Sequence, residues 1–319
     1  MAAGDNAGTT AQKEGQPRAV RRTNERRVQD ETRLRARATA GTGRPTGTGS
    51  TDIGKGRLLF EPAAGSRSDR VGRRFAHTSP VLAVGFVMIC AYAALSVVLL
   101  ASGLLFTHVL AHGTIGHWDE HVNEWFVRHR NSFDNHLSAD ATLLANTLGV
   151  VIVAAAVTVL LLIRRWGGQA LLIVIGLALE LAVFLSTTYV VARPRPRVPH
   201  LGGTPSTFSW PSGHTAATLV LYGSIALLVC AATPRLAPRI TAWVVAVALT
   251  VAVSVSRIYR GDHHPTDTIA GALLGIGVLL AAVFALRAAG AAKRAHTATR
   301  DRHPALPDQD AVPTLAVSR

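Results

Sequence analysis

The chain has few of the residues that hold soluble and secreted proteins together. It contains two cysteines, Cys90 and Cys230, and neither their spacing nor their position inside apolar runs suggests a disulfide or a metal site. Charged residues make up 16% of the sequence, whereas a soluble domain usually carries about 25%. The scarcity of charge argues against an ordinary soluble enzyme. It directs attention to the apolar residues, which form 49% of the chain.

Acidic residues are also scarce, because 19 Asp and Glu stand against 33 Lys and Arg. The resulting net charge of +14 could indicate a nucleic-acid-binding protein. Much of the excess, however, lies in the first 79 residues and in the short stretch KRAHTATRDRH, without the aromatic residues or motifs of a nucleic-acid reader. Basic residues beside membrane segments usually mark the cytoplasmic side and attract anionic lipid. We therefore expect the lipid bilayer, and no nucleic acid, as partner.

The apolar residues are concentrated in runs of roughly 20 residues, the length that crosses about 30 Å of hydrocarbon. The sequence therefore predicts an all-α fold, a polytopic membrane bundle of six transmembrane helices within residues 80–290. The predicted spans cover residues 80–110, 141–163, 169–192, 213–232, 240–258 and 266–289. No pattern of a cleaved signal precedes the first span, so we expect it to remain as a membrane helix.

Residues 1–79 and 291–319 are predicted to be disordered tails. The first is basic and rich in Gly, Thr and Ser, and neither offers enough apolar surface to offset the entropy of ordering. The loops RRWGG and TPRLAPR lie on the same side as both tails, and this side is basic throughout. The bias of Lys and Arg predicts a multi-pass protein of the cell membrane with both termini in the cytoplasm.

Two further features have alternative interpretations. In the outer loop after the first span, Val122, Trp125, Phe126 and His129 fall at helical spacing, which predicts an interfacial helix or else a lid that admits a lipid substrate. Glu180 lies in the middle of the third predicted span. It is either satisfied structurally, by protonation or by a partner such as Ser186, or lines a substrate groove.

The unusual polar residues all fall on the side opposite the tails, in three loops that would meet at one end of a bundle. The first is SWPSGHTAA, at the start of the fourth span. Ser212 is a natural N-cap, which places Gly213 and His214 in the first helical turn, where free N–H groups bind anions. Gly213 would let an anion approach the backbone, and His214 is either structural or a proton donor to a bound phosphate ester.

The second loop, SRIYRGDHHPTD, joins the fifth and sixth spans. Arg257 can hold a phosphate through a bidentate fork. His263 and Asp267 are four positions apart, so the carboxylate could orient the imidazole and make its free nitrogen a nucleophile. The alternative is a metal site built from Asp262, His263, His264 and Asp267 with His200 or His214, although the nearby arginines would repel a cation.

The third loop, ARPRPR, follows the third span. Its prolines stop the helix and hold the chain extended. Arg193, Arg195 and Arg197 would then spread at the membrane interface, either as snorkelling side chains or as phosphate ligands. Simple snorkelling does not explain three arginines on the side that usually carries few.

Together these loops resemble the type 2 phosphatidic acid phosphatase superfamily, in its membrane lipid phosphatase branch. That family's signature is Lys, six residues and Arg-Pro; then Pro-Ser-Gly-His; then Ser-Arg, five residues, His, three residues and Asp. Residues 211–214 match the second part, and Ser256-Arg257 with His263 and Asp267 match the third. In the first part Arg195-Pro196 match, but Thr188 stands where the family has lysine. The resemblance covers about residues 184–274.

The resemblance implies an enzyme, a phosphatase that hydrolyses a lipid phosphate or diphosphate at an extracytoplasmic site through a phosphohistidine, without metal or cofactor. It implies His263 as nucleophile, Asp267 as its orienting partner and His214 as acid and base. The implied phosphate ligands are Arg195, Arg257, Ser212, Gly213 and Thr188, with Arg193 or Arg197 as a source of the charge that Thr188 lacks. Polyprenyl diphosphate, phosphatidate and phosphatidylglycerol phosphate are the candidate substrates. A catalytically degenerate lipid-phosphate-binding protein and a transporter remain the alternatives.

Overall fold

The described part of the chain, residues 60–203 and 206–302 of a computed structural model, folds into α-helices joined by loops, the longest of which in this part covers residues 192–212. The helices are α1 Arg67–Arg74, α2 Pro80–His108, α3 Thr114–Arg128, α4 Ser132–Ala145, α5 Thr147–Ile163, α6 Gly167–Val191, α7 Gly213–Ala232, α8 Leu236–Tyr259 and α9 Pro265–Arg302, with a 3-10 turn at Leu110–His112. The all-α prediction is confirmed.

Five helices in this part of the chain are long and apolar enough to cross a membrane. They are Pro80–His112, Gly167–Val191, Gly213–Ala232, Leu236–Tyr259 and Pro265–Thr299. Their outward surfaces are apolar, as at Ile89, Val244 and Leu273, which are 71%, 60% and 61% exposed. Exposed aliphatic side chains at this density suit a hydrocarbon solvent, and the prediction of a polytopic membrane protein is confirmed.

The predicted second span, residues 141–163, is not one continuous helix. The chain turns at Asn146, whose extended backbone separates α4 from α5 and whose side chain accepts the N–H of Gly149 at 2.6 Å. Asparagine is a favoured N-cap, so it starts a new helix here. The remaining α5 has 17 residues, about 26 Å of helix against about 30 Å of hydrocarbon. A sixth span at α5 stays a prediction.

Both predicted tails are shorter than the sequence indicated. Helix α1 lies within residues 1–79, and its Gly72 packs so closely on α9 that a Cβ there would lie 2.3 Å from the carbonyl oxygen of Ala288. Helix α9 continues to Arg302, beyond the predicted boundary at 290. Contacts between these two helices order residues whose local composition suggested disorder. The rest of the predicted tails, residues 1–59 and 303–319, lies outside the described residues.

Helix α7 is the central helix and packs against α6, α8 and α9. The core around it contains Val183, Val220, Leu274 and Val278. Small residues allow the close approach of α9, because a Cβ at Gly271 would lie 2.3 Å from the Ser212 carbonyl oxygen. This small-residue packing, common between membrane helices, fixes the start of α7 against the start of α9.

The outer loop forms the predicted helix, α3, with Trp118 and Trp125 exposed. A function as a lid stays a prediction. Glu180 is 4% exposed in α6. Ser186 is not its partner, because the Ser186 hydroxyl donates to the carbonyls of Ala182 and Val183 in its own helix.

Candidate active site

Three loops that are distant in sequence meet at one end of the bundle. The N–H of Ser209 donates to the carbonyl of Arg193 at 3.0 Å, and the N–H of Ser212 donates to the carbonyl of Asp267 at 3.0 Å. The guanidinium of Arg195 donates to the Asp262 carbonyl. These bonds join the loop after α6, the start of α7 and the loop between α8 and α9, as the sequence predicted.

His263 is 3% exposed and is held by a backbone carbonyl. Its Nδ1 lies 2.8 Å from the carbonyl oxygen of Ser209, whereas the Asp267 Oδ2 is 3.8 Å away. Asp267 is therefore not the direct hydrogen-bond partner that the sequence predicted. With Nδ1–H donating to Ser209, the other ring nitrogen, Nε2, keeps its lone pair. Burial lowers the pKa of His263, although the nearby Asp267 opposes this, so the ring is held neutral.

Asp267 instead holds the surrounding loops. It is fully buried, and its Oδ2 accepts the Ser209 hydroxyl and the N–H of His264, the latter at 2.8 Å. Its Oδ1 accepts Arg193 Nη1 at 2.5 Å. Since Ser209 carries the carbonyl that orients His263, Asp267 acts on the imidazole mainly through this loop. The sequence did not predict that Ser209 orients His263, because every residue has a backbone carbonyl and a motif does not identify which one is used.

Two arginines present cationic groups to the same place. Arg257 Nη2 pairs with Asp262 Oδ2 at 2.9 Å, while its Nε is buried without a hydrogen-bond partner among the described residues. Arg195 is fixed by carbonyls, with Nε 3.0 Å from Thr207 O and Nη2 3.2 Å from Phe208 O. A buried donor without a partner is costly, which makes the Arg257 Nε a candidate donor to an anion.

His214 lies in the first turn of α7, half-buried, and interacts electrostatically with Arg257, His263 and Arg195. The structure therefore brings together the two imidazoles and two of the arginines that the sequence selected. Both histidines and both cations thus lie within electrostatic reach of one another. An anion with several oxygens, such as a phosphate group, matches that arrangement of charge and donors.

Ser212 and Gly213 occupy the predicted positions, but their contacts differ from those expected. The Ser212 N–H is bound to Asp267 O and is not free for phosphate, and its hydroxyl lies 3.1 Å from Thr215 Oγ1. A Cβ at Gly213 would lie 3.0 Å from the Phe184 ring, so a larger residue there would require the ring to shift. First-turn N–H groups have no acceptor within their helix, which keeps the Gly213 N–H as a candidate anion ligand.

Arg193 and Thr188 are corrections to the predicted phosphate ligands. Arg193 is 3% exposed and pairs with Asp119 at 2.8 Å and with Asp267 at 2.5 Å, so its guanidinium is bound to carboxylates. Thr188 is fully buried, and its hydroxyl donates to the Phe208 carbonyl at 3.4 Å. Both residues therefore have partners within the protein, while Arg197 is exposed, and the group that replaces the family's lysine stays a prediction.

Asp119 of α3 is a buried member of the site that sequence reasoning missed. Its Oδ1 accepts the N–H of Thr266 at 3.1 Å, and its Oδ2 accepts Arg193 Nη2. The available signal was its spacing with Gly116 and Asn123, which together form the buried face of α3. The aromatic pattern that predicts this helix includes the exposed Trp125 and does not single out the buried face.

Within the described residues, no group of three or more His, Cys, Asp or Glu is placed to hold a metal ion. The rival set of metal ligands is dispersed into other contacts. Asp262 pairs with Arg257, Asp267 pairs with Arg193, and His263 bonds to the Ser209 carbonyl.

Part of the chain is similar to known proteins. Residues 169–290 match the family model of the PAP2 superfamily. The undecaprenyl-diphosphatase of Sulfolobus acidocaldarius is 34% identical over 108 residues, which are 32% of this chain and 48% of that protein. Phosphatidylglycerophosphatase B of Bacillus subtilis is 30% identical over 142 residues, 44% of this chain and 66% of that protein. The chain thus spans about half to two thirds of the curated relatives it matches.

A crystal structure described as the first transmembrane PAP2 type phosphatidylglycerolphosphate phosphatase, from Bacillus subtilis, has a similar fold. Its TM-score is 0.50 and its identity 24%, with 59% of this chain and 93% of that chain covered. This likeness concerns the arrangement of helices alone.

Proposed function

Because residues 169–290 match the family model of the PAP2 superfamily, we propose that this protein is an integral-membrane phosphatase for lipid phosphates or diphosphates. The observation that carries the proposal is that hydrogen bonds join the three loops bearing His214, His263 and the arginines at one end of an apolar bundle. A phosphorylated headgroup would bind there while its lipid tail remains in the bilayer. The names of the two curated relatives, both lipid phosphatases, support the same chemistry.

The proposed reaction has two steps. The lone pair of His263 Nε2 attacks the terminal phosphorus, and the bond from that phosphorus to its leaving oxygen breaks. Protonated His214 gives its proton to that oxygen, so the products are phosphohistidine and either the lipid alcohol of a monoester or the lipid monophosphate of a diphosphate. Water then attacks the phosphohistidine, His214 accepts the proton from water, and the nitrogen–phosphorus bond breaks. Inorganic phosphate leaves, and both histidines return to their starting states.

The cationic groups stabilise the charge that moves during transfer. Arg257 Nε, Arg195 and the first-turn N–H of Gly213 are the proposed ligands of the three equatorial oxygens. Loss of one such donor costs on the order of 3 kcal/mol of transition-state stabilisation. The proposed steps need no metal, because donors of the protein supply the positive charge.

The proposed substrate is a polyprenyl diphosphate, with phosphatidate and phosphatidylglycerol phosphate as the other candidates. An active site on the extracytoplasmic face would meet the diphosphate of an isoprenoid carrier, and a relative named undecaprenyl-diphosphatase supports this preference. The neutral Thr188 in place of lysine leaves one positive charge fewer for the substrate.

The decisive experiment uses purified protein in detergent with a panel of the three lipid phosphates and measures released phosphate. We expect the wild type to release phosphate with chelator present and His263→Ala to release none. His136→Ala is the matched control, because His136 is an exposed histidine on α4, and it should retain full activity. Activity in His263→Ala, or loss of wild-type activity on chelation alone, would contradict the mechanism.

The same experiment separates an enzyme from a catalytically degenerate binder, which Thr188 in the lysine position favours. A binder would retain lipid phosphate in a vesicle or detergent binding assay without releasing phosphate from any lipid of the panel. That result would overturn the proposed activity while leaving the anion-binding site in place.

A further inference from the structure

Asp119 reaches the candidate site from a helix outside the matched segment 169–290. It is fully buried on the inner face of α3. Its Oδ2 accepts Arg193 Nη2 at 2.8 Å and the Thr266 hydroxyl at 2.5 Å, and its Oδ1 accepts the Thr266 N–H at 3.1 Å. Both carboxylate oxygens thus accept hydrogen bonds. The donors belong to the loop after α6 and to the start of α9.

The contact with Thr266 fixes the start of α9. Pro265 opens this helix, and the Thr266 N–H is one of the first-turn donors without an acceptor in the helix. A carboxylate at that position satisfies the donor and is favoured by the positive end of the helix. Since Asp267 is the next residue, Asp119 holds the turn that carries Asp267 and follows His263.

The contact with Arg193 joins Asp119 to Asp267 more directly. Arg193 Nη2 pairs with Asp119, and Arg193 Nη1 pairs with Asp267 at 2.5 Å. The guanidinium also lies 5.9 Å from the ring centre of Phe106 and 6.0 Å from that of Trp210, so it is enclosed. Two carboxylates share one cation, which leaves one net negative charge beside the proposed nucleophile.

We propose that Asp119 is a positioning residue for His263 in the phosphatase reaction, an inference that rests on the proposed function. By sharing Arg193, Asp119 prevents the cation from neutralising Asp267 completely. Asp267 then holds Ser209, whose carbonyl orients the imidazole, and its residual negative charge stabilises the ring as it becomes positive on phosphorylation. Asp119 does not touch the phosphate.

The charged groups around His263 determine how a change at Asp119 would affect the pKa of the imidazole. Asp267 lies on α9 at 3.8 Å, while Arg195 from the loop after α6, Arg257 from α8 and His214 from α7 oppose a positive charge on the ring. The carboxylate of Asp262, the residue before His263, is paired with Arg257 at 2.9 Å, whereas Asp267 directs its negative charge at the ring itself. Any change in its residual charge alters the pH at which His263 takes a proton.

The first test is Asp119→Asn in the full-length protein, with kcat, KM and the pH profile of kcat/KM measured on the panel lipid that the wild type hydrolyses. We expect kcat to fall on the order of 100-fold through misplacement of the nucleophile, with KM unchanged. The acid limb of the profile should move to lower pH by about one unit, because one negative charge is lost near His263. Glu124→Gln, on the exposed face of the same helix, should leave all three unchanged.

Two further variants distinguish positioning from a merely structural contribution. Asp119→Glu keeps the charge, so its acid limb should stay at the wild-type pH even if kcat falls. The double variant Asp119→Asn/Arg193→Gln leaves one net negative charge and no unpaired buried cation, so its acid limb should return to the wild-type pH. It also tests the proposal if Asp119→Asn alone fails to fold.

An acid limb at the wild-type pH in Asp119→Asn, or one displaced in the double variant, would overturn the proposal. So would an unchanged kcat. NMR of isotope-labelled histidine, with the His263 signal assigned through His263→Gln, measures the same pKa without turnover. If no panel lipid is hydrolysed, the proposed function fails, and this titration still decides whether Asp119 controls the charge at His263.

Discussion

Single residues at the candidate site divide into those that face the anion position and those that hold them there. Four residues are proposed to be of the first kind, because they influence one another electrostatically. They are His263, His214, Arg195 and Arg257. Arg193 and Asp267 belong to the second, since they bind each other and are buried. A motif does not separate the two kinds, because both are polar residues at fixed spacing.

A substitution at Thr188, where the family has lysine, tests whether this residue binds phosphate or only holds a neighbouring loop. Its hydroxyl donates to the Phe208 carbonyl at 3.4 Å, so Thr188→Val removes a weak hydrogen bond and no phosphate ligand. We expect the free energy of unfolding to fall by about 1 kcal/mol or less, with KM for the lipid substrate unchanged. Chemical denaturation and steady-state kinetics measure the two quantities. A rise of KM on the order of tenfold would mean that the hydroxyl binds phosphate.

Burial of His263 predicts how stability depends on pH. Desolvation lowers the pKa of His263 below its ordinary value of about 6.5, despite the opposing effect of Asp267. The neutral ring therefore stabilises the folded protein fully above the unfolded pKa, and this stabilisation is lost as the pH falls through the folded pKa. In His263→Gln, thermal stability should fall less between about pH 6.5 and about pH 5 than in the wild type. Identical pH profiles from thermal unfolding would contradict this.

At the scale of helices, the site depends on close packing between the starts of α7 and α9. Gly271 of α9 lies against the Ser212 carbonyl, where a Cβ would be 2.3 Å from the oxygen. The Ser212 N–H in turn binds the Asp267 carbonyl, so the contact links the turn carrying His214 to the helix carrying Asp267. A shift of one helix start moves the two imidazoles that we propose as catalytic relative to each other.

Gly271→Ala is the matching prediction. The added methyl must push α9 away from backbone atoms, which should lower the free energy of unfolding by about 1–3 kcal/mol and reduce kcat by on the order of 100-fold through misalignment. Thermal unfolding and phosphate release measure both effects. Gly85→Ala, on a spanning helix with open space around the new Cβ, is the control and should change neither. Full activity in Gly271→Ala would show that the helices separate without disturbing the site.

For the whole molecule, the proposed orientation places the site outside the cell and both tails in the cytoplasm. The test is an impermeant thiol reagent on intact cells, in a background where the native Cys90 and Cys230 are replaced by alanine. Ser206→Cys lies in an exposed loop on the site's end of the bundle and should be labelled. Gly167→Cys, at the opposite end of α6, should be labelled only after permeabilisation. The reverse pattern would overturn the orientation.

Local patterns in the sequence were enough to predict the membrane character, most of the helices and the residues proposed to surround the anion. Long apolar runs fix helices locally, because backbone groups in hydrocarbon must bond within the segment. Spaced motifs likewise selected His214, His263, Arg195 and Arg257 without knowledge of the fold. Asparagine is a favoured N-cap, so Asn146 was a local signal for the break in the second predicted span. It was missed because it lies within an apolar run.

The three-dimensional contacts were needed to show which polar groups are bound to one another. The pairing of Arg193 with Asp119 and Asp267, the carbonyl of Ser209 on His263 and the packing of α1 on α9 all join residues far apart in the chain. Such contacts depend on distance and direction in space, and one sequence records neither. A buried charge is expensive unless it is paired, so the partner that the fold supplies determines what each charged residue does.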